Sequence, residues 1–421
     1  MSKWEWKKLG EVCEIARGGS PRPIKEYITS DADGINWIKI GDTDPTGKYI
    51  FSTEEKIKPS GIKKSRYVES GDFLLSNSMS FGRPYILKTN GCIHDGWLVL
   101  KNYQKYLDVN FFYHLLSSPI AQEQFDQEAK GSTVRNLNTD IVSKVYVPIP
   151  PLSEQNRIVK FLDKEFSKID TLKTNAETNL KNAKELFETT LEKELNPLSR
   201  HSERSEESSA ELPSGWELKA LGDVCYRIKR GKAPKYVEQS DVLVFAQKCN
   251  QPDGTMSLEK ALCLDPSILG KYKAEDYVKE GDVLVNSTGN GTVGRVGFFN
   301  NKLLNNKKPV VPDTHITTIR GLANTFPKYL YYFLKPKESY LSDKSLGTTN
   351  MKELHADVLE HLQIPLPPLS VQKEIVARLD KLSENVKRLE ANYKQIIANC
   401  DELKKSILKK TFEGDSRSSR E

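Results

Sequence analysis

Three stretches carry the residue types that could grip a polyanion, and each occurs twice. Arg17-Gly18-Gly19-Ser20-Pro21-Arg22-Pro23-Ile24-Lys25 is matched by Lys229-Arg230-Gly231-Lys232-Ala233-Pro234-Lys235. The run from Ser76 to Arg83 is matched by Asn286 to Arg295, and Gly131 to Asn136 by Gly347 to Lys352. Glycine lets a backbone approach closely, while Arg, Lys and Asn can reach phosphate oxygens or base edges. The candidate contacts in the first half are Arg17, Arg22, Lys25, Asn77, Arg83, Arg135 and Asn136. Those in the second are Arg230, Lys232, Lys235, Asn286, Asn290, Arg295, Asn350 and Lys352. Ordinary polar turns would share this composition, so the loops alone leave the ligand open.

Catalytic patterns fail on inspection. Gly41 to Tyr49 imitates a phosphate loop but is one residue too long, and Tyr49 stands where Ser or Thr must hold a metal. Gly289-Asn290-Gly291-Thr292-Val293-Gly294 has dinucleotide-loop spacing, yet Arg295 to Phe299 reads as a strand where a helix must open. No HExxH, GxSxG or Asn-Pro-Pro-Tyr pattern occurs. His94, His114, His201, His315, His355 and His361 are scattered, and the six cysteines form no CxxC pair. No catalytic residue and no metal ligand is assigned. The cysteines read as free thiols of a reducing compartment.

The chain has 421 residues, which suggests two or three domains. Its formal net charge of +6 permits nucleic-acid binding without demanding it. No apolar run approaches the ~18 residues of a membrane helix, and Met1 to Trp6 lacks the apolar core of a signal peptide. The expectation is a cytoplasmic protein with no membrane partner.

The elements that must position the loops are themselves duplicated. Trp4 to Cys13 returns as Trp216 to Cys225 with seven of ten positions identical. Tyr67 to Leu75 returns as Tyr277 to Val285, and Pro148 to Lys164 as Pro365 to Lys381 with 11 of 17 identical. A period this long marks a duplicated module, not a solenoid. Each copy reads as a mixed α/β domain of short strands and turns, with aromatic helices at Phe111 to Ser117 and Tyr329 to Lys335. A Pro-rich hinge and a long helix follow, with Ser153 and Ser370 as expected N-caps.

The second helix spaces Ile375, Leu379, Leu382, Val386, Leu389, Tyr393, Ile396, Cys400, Leu403 and Ile407 by alternating fours and threes, a coiled-coil seam. The same register puts Ile158, Leu162, Ile169, Leu172, Ala176, Ala183 and Leu186 on the first helix, with Glu165, Asn179 and Thr190 interrupting. The expected boundaries are domains at 1–150 and 214–367, helices at 151–196 and 368–413, a Ser/Glu-rich linker at 197–213 and a tail at 414–421. The expected fold class is α/β (α+β): two similar mixed domains joined by an antiparallel coiled coil, pseudo-two-fold symmetric.

Pro365 to Gln372 and Pro148 to Gln155, with the Trp-x-x-x-x-Leu-Gly domain openings, the Gly-Asp-x-Leu strand and the Gly-Ser/Thr-Thr loop, resemble the specificity subunits of type I restriction–modification systems. The resemblance covers nearly the whole chain, linker and tail excepted. It implies two target-recognition domains that each read one half of a split double-stranded DNA target, with the helices as spacer. It further implies two modification (methyltransferase) subunits that methylate adenine, and restriction (endonuclease/translocase) subunits that cleave. S-adenosylmethionine, ATP and Mg are then expected on those partners, and neither a cofactor nor a catalytic site on this chain. The competing reading is a coiled-coil scaffold with two domains for ligands other than DNA.

Overall fold

The computed structural model describes residues 4–77, 81–129, 136–196, 212–251, 255–300, 308–348 and 351–413. Residues 197–211 of the expected linker and the tail from Gly414 to Glu421 lie outside them. The chain forms two compact units, Met1–Glu177 with Tyr393–Glu421, and Thr178–Asn392.

The first unit holds two five-stranded sheets. One runs in the order Glu14–Arg17, Trp97–Lys101, Phe73–Ser76, Pro84–Leu87 and Tyr49–Ile50. The other runs Ile28–Thr29, Glu55–Ile57, Ile35–Ile38, Gly91–Ile93 and Arg66–Val68. Phe73–Ser76 and Pro84–Leu87 are buried along their whole length, which is why they read as unbroken apolar runs and not as alternating ones. The second unit repeats the plan with four strands per sheet. Cys225–Arg230, Ile316–Gly321, Val283–Asn286 and Val296–Phe298 form one, and Tyr236–Val237, Leu262–Leu264, Leu243–Phe245 and Val310–Pro312 the other.

Two of the repeated sequence blocks prove to be strand partners. The opening strand Glu5–Lys8 pairs antiparallel with the hinge strand Tyr146–Ile149, setting Trp6 opposite Pro148. Glu217–Ala220 pairs likewise with Gln363–Leu366, setting Leu218 opposite Pro365. Each domain therefore closes on itself before its long helix leaves.

Four helices matter below: α1 (Val109–Leu116), α2 (Leu152–Leu195), α3 (Pro327–Leu334) and α4 (Leu369–Glu413). The N-caps of the long helices fall two residues earlier than expected, at Pro151 and Pro368 and not at Ser153 and Ser370. The carbonyls of Pro151 and Pro368 accept the first-turn N–H groups of Gln155 and Gln372, each at 3.0 Å. Proline thus supplies the N-cap carbonyl, and Ser153 and Ser370 lie inside the first turn.

Within the first unit, Lys173 Nζ reaches Asp401 at 2.8 Å and Lys404 bonds Asp170. Within the second, Arg378 reaches Glu194 at 2.7 Å. In the first unit a step forward along α2, from Asp170 to Lys173, is a step back along α4, from Lys404 to Asp401, so the pairing there is antiparallel. Ile158, Leu162, Ile169, Ala176, Ala183, Ile375, Leu379 and Val386 are buried as the seam requires. Leu382, Tyr393, Ile396 and Ile407 are half-buried.

Leu172, Leu186, Leu389 and Leu403 depart from the expected seam: they are 51%, 57%, 38% and 48% exposed. On α2 the cause is one extra four-residue step near the helix start. Ile158, Leu162, Phe166 and Ile169 are inward, so the spacing runs four, four, three, and every second seam position moves on by one residue. Lys173, Leu180 and Phe187 are half-buried where the four–three alternation named Leu172, Asn179 and Leu186.

Each domain core runs on into the helix pair. Leu408 and Phe412 join the first core, where Phe412 meets Phe111 of α1 at 5.4 Å between ring centres. Leu191 and Leu195, their counterparts on α2, join the second.

Candidate nucleic-acid interface

In the first unit the recurring loops gather around the turn His94–Gly96. Arg17 Nε donates to the Asp95 carbonyl at 3.1 Å, and Asn77 Nδ2 donates to the same oxygen at 2.7 Å. The Ser20 hydroxyl donates to the Asp95 carboxylate at 2.7 Å, and Arg22 lies 3.5 Å from it. That hydroxyl, foremost, holds the Asp95 carboxyl below the usual carboxylate range. Leu137 N–H, next to Asn136, donates to the Asn77 carbonyl at 2.8 Å.

The second unit repeats this knot. Gly18 N–H to Trp97 carbonyl (2.9 Å) becomes Gly231 N–H to Ile316 carbonyl (3.0 Å). Asn77 N–H to Gly96 carbonyl (3.0 Å) becomes Ser287 N–H to His315 carbonyl (2.8 Å). Leu137 N–H to Asn77 carbonyl becomes Leu354 N–H to Ser287 carbonyl (2.7 Å).

The side chains within these knots divide by availability. Arg17, Arg22, Lys25, Lys235 and Asn290 are exposed. Asn77 and Asn286 are 1% and 0% exposed, and their amides are spent on the Asp95 and Gln247 carbonyls, so they build the loops from inside. Arg83 stacks over Tyr85 and donates to the Gly47 carbonyl. Asn136 is half-buried, with its Oδ1 unpartnered among the described residues. Arg135 and Asn350 lie outside the described residues.

In the second unit most loop cations meet a carboxylate. Arg230 bonds Glu353 at 2.6 Å and also the Leu354 carbonyl. Lys232 bonds Asp276 at 2.6 Å, and Lys235 bonds Asp265 at 2.8 Å. Burial works against the charge on Asp276, but Lys232, a backbone N–H and Arg227 outweigh it and bring its carboxyl to about 2. Arg295 donates to the Asn250 carbonyl at 2.8 Å. Lys352 is half-buried on the Met351–Glu353 strand.

One basic segment escaped the three-loop reading. Lys63, Lys64 and Arg66 are exposed beside the first loop, and Arg66 Nε donates to the Arg17 carbonyl at 2.8 Å. Its counterpart supplies exposed Lys271 and Lys273, with the Lys271 carbonyl bonded by Lys232. The signal was available: Pro59-Ser60-Gly61-Ile62-Lys63-Lys64 resembles Pro266-Ser267-Ile268-Leu269-Gly270-Lys271, and both fold as 3₁₀ turns.

Each domain is pinned to its helix by one buried glutamine. Gln155 Oε1 accepts from Asp108 N–H at 2.7 Å, and its amide donates to the carbonyls of Tyr106 and Pro150, both at 2.8 Å. Gln372 accepts from Phe326 N–H at 2.7 Å and donates to the carbonyls of Asn324 and Pro367. Both are 0% exposed.

Residues 1–182 and 213–398 each match the model of the type I restriction modification DNA specificity domain. The chain belongs to the type I DNA-specificity family. Among its relatives, it is 25% identical to the putative type I restriction enzyme MjaX specificity subunit of Methanocaldococcus jannaschii, over 98% of this chain and 94% of that one. It is 24% identical to the type I restriction enzyme EcoBI specificity subunit of Escherichia coli, over 72% of this chain and 65% of that one. A solved chain from work on assembly and conformational transition of the type I R-M system superimposes with a TM-score of 0.76 at 22% identity, over 99% of both chains. The HsdS subunit from Thermoanaerobacter tengcongensis gives 0.61 at 23%, over 99% and 98%. These likenesses establish the specificity-subunit fold. Among the described residues no cluster of three or more His, Cys, Asp or Glu could hold a metal, and no helix is long and apolar enough to cross a membrane.

Proposed function

We propose that this specificity-family chain is the non-catalytic, sequence-reading subunit of a cytoplasmic type I restriction–modification complex. Domains 1–150 and 214–367 each read one half of a split duplex DNA target. Helices 151–196 and 368–413 set the gap and carry two modification subunits, with residues 197–213 as connector and 414–421 as tail. Restriction subunits join that core. S-adenosylmethionine, ATP and Mg belong to the partners.

The observation that carries this reading is the repeated knot of backbone bonds made at Gly18, Asn77 and Leu137 in one unit and at Gly231, Ser287 and Leu354 in the other. Two copies of one loop frame, with different side chains, suit two different half-sites. Exposed Arg17, Arg22, Lys63, Lys64 and Arg66 supply phosphate contacts in the first unit, and Lys271 and Lys273 in the second.

The test is to reconstitute the chain with its modification subunits and map methylated adenines in the source genome. The reading expects a bipartite target whose first half alone changes when residues 1–147 are exchanged for a relative's. Duplex binding that ignores salt concentration would favour the scaffold with non-DNA ligands, because phosphate contacts make affinity fall steeply with salt.

A further inference from the structure

The turn at the centre of each knot opens with a different residue. His94 in the first unit and Asp313 in the second each follow the parallel inner strand (Gly91–Ile93, Val310–Pro312) and precede the next one by three residues. Both side chains cap their turn in the same way. His94 Nδ1 accepts from Gly96 N–H at 2.7 Å, and Asp313 Oδ1 accepts from His315 N–H at 2.8 Å.

They differ in the second acceptor. The Ile40 nitrogen lies 3.1 Å from His94 Nε2, but a neutral imidazole has a single lone pair, and the shorter approach at Nδ1 takes it, so the ring has no acceptor left over. Asp313 is 2% exposed, and among the described residues no hydrogen bond reaches its other carboxylate oxygen. Burial raises its carboxyl above the usual range, as befits a charge short of partners.

Asp313 lines a cavity of about 320 Å³ together with His315 and Gln247. Tyr236 and Leu262 form its exposed lips, at 45% and 51%. Lys248 and Lys260 stand exposed at its edge. The cavity adjoins the knot directly: His315 Nδ1 meets the Thr288 hydroxyl at 2.5 Å, and Gln247 Nε2 donates to the Thr288 carbonyl at 2.8 Å. A buried acceptor, an aromatic wall and two cations at the rim are the chemistry of a nucleobase carrying an amino group beside its phosphate.

We propose that Asp313 is a specificity-determining residue of the second unit, accepting a hydrogen bond from the exocyclic amine of one base, cytosine N4 or adenine N6, whose edge enters this cavity. This rests on the reading of the chain as a DNA-specificity subunit. The first unit, with the single lone pair of His94 spent on its turn, carries no equivalent acceptor at that position. A carboxylate takes such an amine and rejects the carbonyls of thymine and guanine, which bring a second acceptor.

The experiment uses the complete complex with modification subunits. Duplexes carry the mapped target with one amine removed at a time: adenine replaced by purine, or cytosine by 2-pyrimidinone. With the wild-type chain, one position in the second half-site should weaken binding roughly ten-fold when its amine is lost. The identity of that base distinguishes cytosine from adenine. Asp313→Asn keeps the turn cap through its Oδ1 and should lose the discrimination at that position alone. Asp313→His, which copies the first unit, gives the same reading if the Asn variant fails to melt as a folded protein. Unchanged discrimination at every position in a folded variant overturns the assignment, and so does equal loss in both half-sites. A wild-type complex with no half-site preference would instead overturn the underlying DNA-reading function.

Discussion

His114 Nε2 lies 2.9 Å from the Asp163 carboxylate, joining α1 to α2. At the duplicated position the Tyr332 hydroxyl bonds Asp380 at 2.5 Å, joining α3 to α4. One carboxylate position thus serves both units while its donor has diverged. The two donors shift in opposite directions: burial lowers the His114 imidazole and pushes the Tyr332 hydroxyl up.

The first prediction follows from that difference. Burial, opposed by Asp163, holds His114 below the ordinary imidazole range, and burial does the same to His94. The unfolded chain therefore takes up protons first. Their contribution is intact above the unfolded pKa of roughly 6.5 and is lost as pH falls through the lower folded values. Chemical denaturation at pH 7.5 and 5.5 should show this loss. His114→Tyr, borrowing the second unit's solution, should make the loss smaller. An unchanged pH dependence in that variant would remove His114 from the account.

Gln155 gives a second prediction. Its side chain makes three hydrogen bonds at full burial, tying the Asp108 N–H and two carbonyls to the helix start. Gln155→Ala strands those groups and should cost roughly 2–4 kcal/mol in urea denaturation. Gln372→Ala should cost a similar amount. A loss below about 0.5 kcal/mol would mean that water replaces the amide and that the hinge is held by packing alone.

These residues also mark how far the sequence could be read. The duplication and the hinges were visible because they rest on local chemistry, proline and a glutamine recurring at one spacing, whereas the cap fell on Pro151 and Pro368 and not on the serines that cap chemistry favours. The seam phase was not. Leu172 and Leu186 continue the four–three alternation, and nothing local reveals the extra four-residue step that turns them outward. The loop cations were visible by type, but the pairing of Lys232 with Asp276 joins residues far apart in sequence, which spacing does not encode. Asn77 and Asn286 looked like contacts because a buried amide and an exposed one are the same letter.

The outward leucines support a third prediction. Leu172 and Leu403 are exposed in the first unit, and Leu186 and Leu389 in the second. The two pairs exchange under the same offset that relates the two helices, so two copies of one partner can meet equivalent patches. Leu172→Glu with Leu403→Glu should leave the melting curve nearly unchanged, since neither side chain is buried, yet weaken uptake of one modification subunit by at least roughly ten-fold. Mass measurement of the assembled complex decides it. Full uptake of two subunits would show that docking uses another face.

The last prediction concerns the helices as a ruler. Lys173–Asp401 and Lys404–Asp170 fix the antiparallel register in the first unit, and Arg378–Glu194 ties the same two helices in the second. A heptad added to α2 alone leaves seven residues without a facing turn and breaks one set of these pairs. It should cost assembly, not change the target. A heptad added to both helices, after Ala183 and after Ala391, keeps the 3.5-residue phase on each side and lengthens the pair by ~10 Å. At ~3.4 Å per base pair, the gap should widen by up to about three base pairs with both half-sites unchanged. The phase condition matters: an insertion of five would rotate the buried Ala176 and Ala183 stripe off the partner, and the pair would open. Methylation mapping of the double-insertion complex reads the gap directly. An active complex with its original gap would show that the spacing is set by the modification subunits and not by this chain.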